Sequence, residues 1–211
     1  LIAYWGILWI GGGEDPYSLE HNLIRKIDIF LLGESHLYGG TGIQFDPEGL
    51  LSTIPSVVTV LIGYLVGSML HTTKDFLDNV KRMSTFGIGL MIVGIFWGLL
   101  FPINKQLWTS SYVLFTGGIA TLILSSLCFM IDIKKWKKPL WVFQIFGTNS
   151  IFLFVLSGLW TKIILRLRFD LEGQSISGYG YLYKTLFVPI GGDMFGSFLF
   201  AFAHLVGFWL I

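Results

Sequence analysis

Ser52–Leu70 reads STIPSVVTVLIGYLVGSML, a run with no charged residue anywhere in it. Crossing the hydrocarbon core of a bilayer as a helix takes about 20 predominantly apolar residues. This run has that length, and it is apolar nearly all round instead of along one stripe, as a helix flanked by lipid must be. Ser52 and Thr53 stand where they can cap such a helix, and Pro55 falls where first-turn N–H groups have no intrahelical partner.

Four more runs of the same kind follow: Ser84–Phe101, Ser110–Ile131, Pro139–Leu165 and Met194–Ile211. The opening Leu1–Ile10 has the character of the tail of a preceding span. The expectation is therefore an all-α, polytopic transmembrane helical bundle, residues 1–211 forming one membrane domain with spans at 52–70, 84–101, 110–131, 139–165 and 194–211. The fourth run is longer than a crossing needs and is interrupted by Gly147-Thr148-Asn149-Ser150. Either a short interfacial stretch, Pro139–Phe146, leads into the span, or the helix is locally broken there.

Composition agrees. Hydrophobic residues make up 54% of the chain and charged residues 13%, against roughly 25% charged in soluble domains; mean hydropathy is +0.71. A water-exposed globule of this make-up would carry large apolar patches. A formal net charge of +1 gives no reason to expect nucleic acid as a partner. The single cysteine, Cys128, excludes an internal disulfide framework and a cysteine metal site. No pair of histidines has the i, i+4 spacing of a metal site, and no metal is expected. The chain opens at Leu1 inside an apolar run, without the basic leader of a signal peptide. It is expected to start partway through a helix of a longer protein.

Basic residues orient the bundle. The loop His71–Met83 carries Lys74, Lys81 and Arg82, and Asp132–Lys138 carries Lys134, Lys135, Lys137 and Lys138. Both return to the same side, which the positive-inside rule makes cytoplasmic. Residues 11–51, the turn Pro102–Trp108 and residues 166–193 then lie outside. Within the first of these, Asp15-Pro16 is a helix-start signal. Leu19, Leu23, Ile27, Phe30 and Leu31 recur at helical spacing opposite Glu20, Arg25 and Asp28, predicting a helix on the membrane surface that ends near Gly33.

Polar groups in or beside spans are costly and point to sites. Asp46 and Glu48 flank Pro47 just before the first full span, where they either cap the helix or meet a substrate. Asn104, Lys105 and Trp108 form a tight hairpin, followed by Tyr112 at the start of the next helix; a solvated turn and an interfacial anchor are the structural alternatives. Asn149 and Ser150 interrupt the fourth run, and an amide there needs another helix or a ligand as partner. His204, inside the last run, reads as a helix-to-helix hydrogen bond. Gly63-x-x-x-Gly67 and Gly94-x-x-x-Gly98 read as places where helix backbones approach closely.

Three of these clusters carry a resemblance. Phe45-Asp46-Pro47-Glu48-Gly49-Leu50-Leu51-Ser52-Thr53-Ile54-Pro55, running on to Gly63-Tyr64-Leu65-Val66-Gly67, resembles the DPEGLLST segment and following helix of the heparan-α-glucosaminide N-acetyltransferase family. Pro102-Ile103-Asn104-Lys105 with Leu107-Trp108 and Ser111-Tyr112 is similar to its P-x-N-K-x-L-W hairpin. Gly147-Thr148-Asn149-Ser150-Ile151 is similar to its G-x-N-S-I segment. Together they cover roughly Phe45 to Ile151; after Leu165 the likeness is one of general character. The resemblance implies transfer of acetyl from acetyl-CoA, as cosubstrate, to the amine of a terminal glucosamine, across or within the membrane. The residues expected to contact substrate are those of the polar clusters: Asp46, Glu48, Asn104, Lys105, Trp108, Tyr112, Asn149 and Ser150. The family's proposed acetyl-carrying histidine lies upstream of the matched region, so no histidine of this chain inherits that role, and the catalytic residue is not identified. The expected partners are an amino sugar and the lipid bilayer, with a homodimer compatible with the class and a bacterial inner membrane the expected location. A transporter for N-acetylglucosamine or a related sugar is the competing reading, since it too needs polar groups near a broken helix.

Overall fold

The structure, a computed structural model, describes residues 1–40, 42–70, 72–136 and 141–211. The chain is a polytopic helical bundle. Among the described residues, four helical stretches are long and apolar enough to cross a membrane: Leu50–Met69, Phe76–Trp97, Ser110–Ile133 and Gly178–Leu210. A bent pair, Trp141–Thr148 with Ser150–Arg166, makes a fifth if it acts as one span. The expected Lys137, Lys138 and the first residues of the 139–165 run lie outside the described residues. The chain divides into two compact units, Leu1–Lys135 and Trp136–Ile211.

In the first unit, α1 (Ile2–Gly12) and α2 (Leu23–Leu32) precede the spans α3 (Thr53–Met69), α4 (Phe76–Trp97) and α5 (Ser110–Cys128). α2 begins at Leu23, not at Asp15-Pro16. Asn22 is the residue that caps it: its Oδ1 accepts the Arg25 N–H at 2.8 Å, while its Nδ2 donates to the Ser18 and Leu19 carbonyls. One side chain thus closes the incoming turn and opens the helix, which Asp15 cannot match from a position seven residues earlier. The helix ends as expected at Gly33, whose φ of 82° lets its N–H return to the Ile29 carbonyl. Its inward face also differs from expectation. Ile24 and Asp28 are fully buried, whereas Phe30 and Leu31 are exposed. Lys26 donates to the Gly11 and Gly12 carbonyls and so closes the end of α1.

α4 starts eight residues before the expected Ser84, because Asp75 caps it by accepting the Leu77 N–H at 2.9 Å. Hydropathy marks the portion of a helix that lies in hydrocarbon; the charged turns with Asp78, Lys81 and Arg82 extend beyond that portion. α5 runs on into a π-helical turn, Phe129–Ile133. α4 and α5 meet backbone to backbone. A Cβ on Gly118 would sit 2.5 Å from the Met91 nitrogen, and one on Gly94 would sit 2.5 Å from the Phe115 nitrogen. Gly94 therefore packs as expected, but Gly63 and Gly67 do not: a Cβ at either would meet nothing within 4 Å. Those two glycines lie on an open face of α3. The loop between α3 and α4 is organised by buried Asn79, whose amide bonds the Leu70 and Thr73 carbonyls and whose oxygen accepts from Thr73.

In the second unit, α6 (Trp141–Thr148) and α7 (Ser150–Arg166) meet at 78°. The interruption expected within the fourth run falls here, with Asn149 between the two helices. A two-stranded antiparallel hairpin follows, β1 (Arg168–Leu171) and β2 (Gln174–Ser177), with Glu172 and Gly173 at positive φ in its turn. This hairpin is absent from the all-helical expectation. α8 (Gly178–Leu182) continues through a π-helical turn, Tyr183–Phe187, into α9 (Val188–Leu210). α9 is itself broken by non-helical backbone at Gly191 and Gly192.

Candidate functional site

The segment before α3 is a tight turn built by its own acid. Asp46 Oδ1 accepts the Glu48 N–H at 2.9 Å and the Asp46 carbonyl accepts the Gly49 N–H at 3.2 Å. Glu48 is left exposed. Neither carboxylate caps the span. Leu50–Ser52 forms a single 3-10 turn leading into α3, and Ser52 makes no capping bond. The Leu50 N–H is taken instead by Asp28 Oδ1 at 3.1 Å, reaching across from α2.

Asp28 is a residue that the sequence pattern misplaces. It is 0% exposed, and its Oδ2 has no hydrogen-bond partner among the described residues. Gly49 lies so close that a Cβ there would fall 2.3 Å from Oδ2. Burial pushes the carboxyl above its ordinary value of 3.8; the Leu50 N–H pulls the other way and the Asp46 charge adds to the rise. Among the described residues Asp28 forms no ion pair. The cations beside it on α2 are engaged elsewhere, Arg25 with the Gln44 carbonyl and Glu34, Lys26 at the end of α1. A buried acid without a cation is cheapest in its neutral form.

The second motif folds into a self-contained hairpin. Asn104 Oδ1 accepts the N–H groups of Gln106 and Leu107, and the Asn104 N–H donates to Thr109 Oγ1 at 3.0 Å. The Asn104 oxygen is therefore a turn-builder, and Lys105 projects from the tip, exposed. Thr109 caps α5 by accepting the Tyr112 N–H. The hairpin is held from beneath by α1, where the buried Tyr4 hydroxyl donates to the Leu107 carbonyl at 2.6 Å. Tyr4, Leu8, Ile24, Phe45, Phe101 and Leu107 form one buried cluster linking α1, α2 and both motif segments.

Trp108 joins the two segments. Its backbone has φ 47°, a left-handed conformation that costs a bulky residue and persists where surrounding structure imposes it. Its Nε1–H donates to Thr59 Oγ1 on α3 at 3.3 Å, and its ring meets Tyr112 edge-on at 5.3 Å. A cavity of about 240 Å³ lies between Trp108 and the start of α3, lined by Pro47, Glu48, Ser52, Thr53, Ser56 and Trp108. Two motifs separated by some fifty residues thus share one small cavity with an aromatic wall, hydroxyl groups from the start of α3 and a carboxylate at its edge. Of the predicted residues, Glu48 and Trp108 line it directly. Asp46 and Asn104 shape the turns that frame it, Tyr112 braces Trp108, and Lys105 stands outside it. Ser56 and Thr59, one and two turns into α3, were hidden among apolar neighbours.

Asn149 and Ser150 belong to the second unit. The expected need for a distant partner rested on burial, and Asn149 is exposed. Its Nδ2 donates to the Ile145 carbonyl at 3.0 Å and to Thr148 Oγ1 at 3.3 Å, within the bend itself. Ser150 opens α7. His204 likewise bonds within its own helix, Nδ1 to the Phe200 carbonyl at 2.9 Å, among Trp160, Tyr179 and Phe200.

No family model matches the chain. Two known proteins do. The chain is 34% identical to the heparan-alpha-glucosaminide N-acetyltransferase of Mus musculus over a match that takes in 71% of this chain and 26% of that protein. It is also 34% identical to the Homo sapiens protein of the same name, over 61% of this chain and 22% of that one. The chain spans about a quarter of the length of the curated relatives it matches. The family resemblance carried by the three motifs is borne out, and the match falls in the carboxy-terminal part of those relatives.

Proposed function

We propose, from this kinship with the heparan-α-glucosaminide N-acetyltransferases, that the chain is part of a membrane-embedded enzyme transferring acetyl from acetyl-CoA to the amine of a glucosamine-type acceptor. The observation that carries the reading is the convergence of Glu48 and Trp108 on one cavity beneath the two motif turns. In the transfer, the amine nitrogen forms a bond to the thioester carbonyl carbon, the carbon–sulfur bond breaks, and coenzyme A leaves as its thiol. The acceptor arrives as an ammonium and must lose a proton before it can attack. Glu48 is placed to bind that ammonium and to take the proton, and the Trp108 ring offers an apolar wall for the face of a sugar. Asp46 and Asn104 hold the turns, and Lys105, Asn149 and Ser150 contact substrate groups from the edges of their segments.

The same reading places the Lys134-Lys135 end of the first unit in the cytoplasm and the cavity end on the opposite face, in a bacterial inner membrane. The test is acetyl-CoA-dependent N-acetylation of glucosamine by the purified full-length protein in lipid vesicles. Acetylated product that requires acetyl-CoA supports the enzyme. Accumulation of N-acetylglucosamine inside vesicles without acetyl-CoA, and without acetylated product, overturns it in favour of a transporter.

A further inference from the structure

A second acid meets the motif turn from outside the motif. Asp28 sits on α2, outside every motif segment, and is fully buried. One of its oxygens receives the Leu50 N–H at 3.1 Å. The other lies against Gly49 so closely that any side chain at 49 would collide with it, and among the described residues it has no hydrogen-bond partner. Ile24, one turn earlier on the same helix, fills the same space: a Cβ at Gly49 would also fall 2.5 Å from its methyl. Gly49 is thus packed against two α2 side chains, one residue after Glu48 at the cavity edge.

We propose that Asp28 is a positioning residue for the acceptor site: by accepting the Leu50 N–H it fixes the Asp46–Leu50 turn and so sets where Glu48 meets the substrate amine. The inference rests on the acetyltransferase reading for its kinetic consequence, but not for its structural one. The geometry accounts for both oddities of the pair. A glycine is required at 49 because the carboxyl occupies the space of a side chain. An acid is tolerated at 28 without a cation because its work is done by one carbonyl-like oxygen, which needs no charge. A carboxamide presents the same acceptor oxygen in nearly the same shape.

The test uses the full-length protein with Asp28→Asn and Asp28→Ala. Four readouts are compared with the parent: KM for the glucosamine acceptor, KM for acetyl-CoA, kcat, and amide hydrogen exchange over residues 46–52. Asp28→Ala is expected to raise acceptor KM several-fold, leave acetyl-CoA KM unchanged and speed exchange across the turn. Asp28→Asn keeps the acceptor atom for Leu50 and is expected to restore both the acceptor KM and the slow exchange. Asp28→Asn as damaging as Asp28→Ala overturns the proposal, because a charge would then be required. So does an Asp28→Ala that leaves exchange over 46–52 and acceptor KM as in the parent, or that changes every kinetic constant in parallel. If Asp28→Ala fails to fold, Gly49→Ala supplies the same displacement from the other side and is read by the same exchange and KM. If the parent shows no acetylation, the functional reading fails, and the exchange data alone still decide whether Asp28 holds the turn.

Discussion

The indole N–H of Trp108 donates to Thr59 Oγ1 at 3.3 Å, fastening the hairpin between α4 and α5 to the second turn of α3. Ring and hydrogen bond have separable consequences. Trp108→Phe keeps the aromatic wall and loses the bond, at a cost of about 1 kcal/mol or roughly 2–4 °C in Tm for a chain of this size. Trp108→Ala removes the cavity wall as well, and acceptor KM is expected to rise roughly tenfold, the equivalent of about 1.4 kcal/mol of binding. Melting curves and acceptor titrations of the two variants check this; equal acceptor KM in both would remove the ring from the site.

Asp28 gives stability a pH slope. Its native pKa is raised above the ordinary 3.8, so between those two values the folded protein binds more protons than the unfolded chain, and this group's contribution to stability falls as pH rises. The loss begins as pH climbs past 3.8 and is complete above the raised native value. Asp28→Asn cannot titrate. Its Tm, measured relative to the parent from about pH 4 to pH 7, should therefore gain on the parent as pH increases. A variant that loses ground to the parent as pH rises would mean that the charged form is the stabilised one.

Gly118 and Gly63 should respond oppositely to the same methyl group. At Gly118 a Cβ would meet the Met91 nitrogen at 2.5 Å and the Gly87 carbonyl oxygen at 2.7 Å. Gly118→Ala must push the backbones of α4 and α5 away from each other, a loss of about 1–3 kcal/mol. At Gly63 there is nothing within 4 Å, and Gly63→Ala should gain up to about 1 kcal/mol from helix propensity. Thermal unfolding in detergent reads both, and a destabilised Gly63→Ala would reveal a neighbour on that face of α3.

Orientation is open to labelling. With Cys128 replaced, a cysteine at position 135 should be protected from an impermeant thiol reagent in intact cells and one at position 40 should react. Labelling at 135 with protection at 40 would invert the topology.

Among the described residues Asn149 bonds only within its own bend, and it is exposed, so Asn149→Ala should shift Tm little. As a substrate contact it should cost roughly tenfold or more in acetyl transfer, since a hydrogen bond to a charged group contributes about 1.5–3 kcal/mol. Unchanged turnover in the full-length variant would remove Asn149 from the site.

The spans were legible because Ser52–Leu70 and its counterparts lack charges over a membrane's thickness, a signal that no local detail can reverse. The motif turns were legible as polar groups beside those spans. What escaped depends on long-range contact. Asp28 lies on a helix whose apolar spacing also accommodates a solvated acid, and only the packing of Gly49 shows which way it faces. The α2 start was misread at Asp15 because two residues carried capping chemistry and only the turn at Ser18–Asn22 decides between them. Gly63 and Gly67 had the spacing for close packing, yet a spacing says nothing about whether a second helix is there. Thr59 and Ser56 were invisible because isolated hydroxyls inside spans usually bond their own helix, as Ser56 does with the Thr53 carbonyl.

The self-satisfied hairpin between α4 and α5 has a consequence for biosynthesis. Its tip bonds its own backbone through Asn104 and Thr109, and the two helices flanking it touch without intervening side chains at Gly94 and Gly118. Unpaired peptide groups are what make a polar loop expensive to carry through hydrocarbon. A hairpin that closes those bonds internally can cross as a preassembled unit, so α4 and α5 should enter the bilayer together, with α3 joining them afterwards through Trp108.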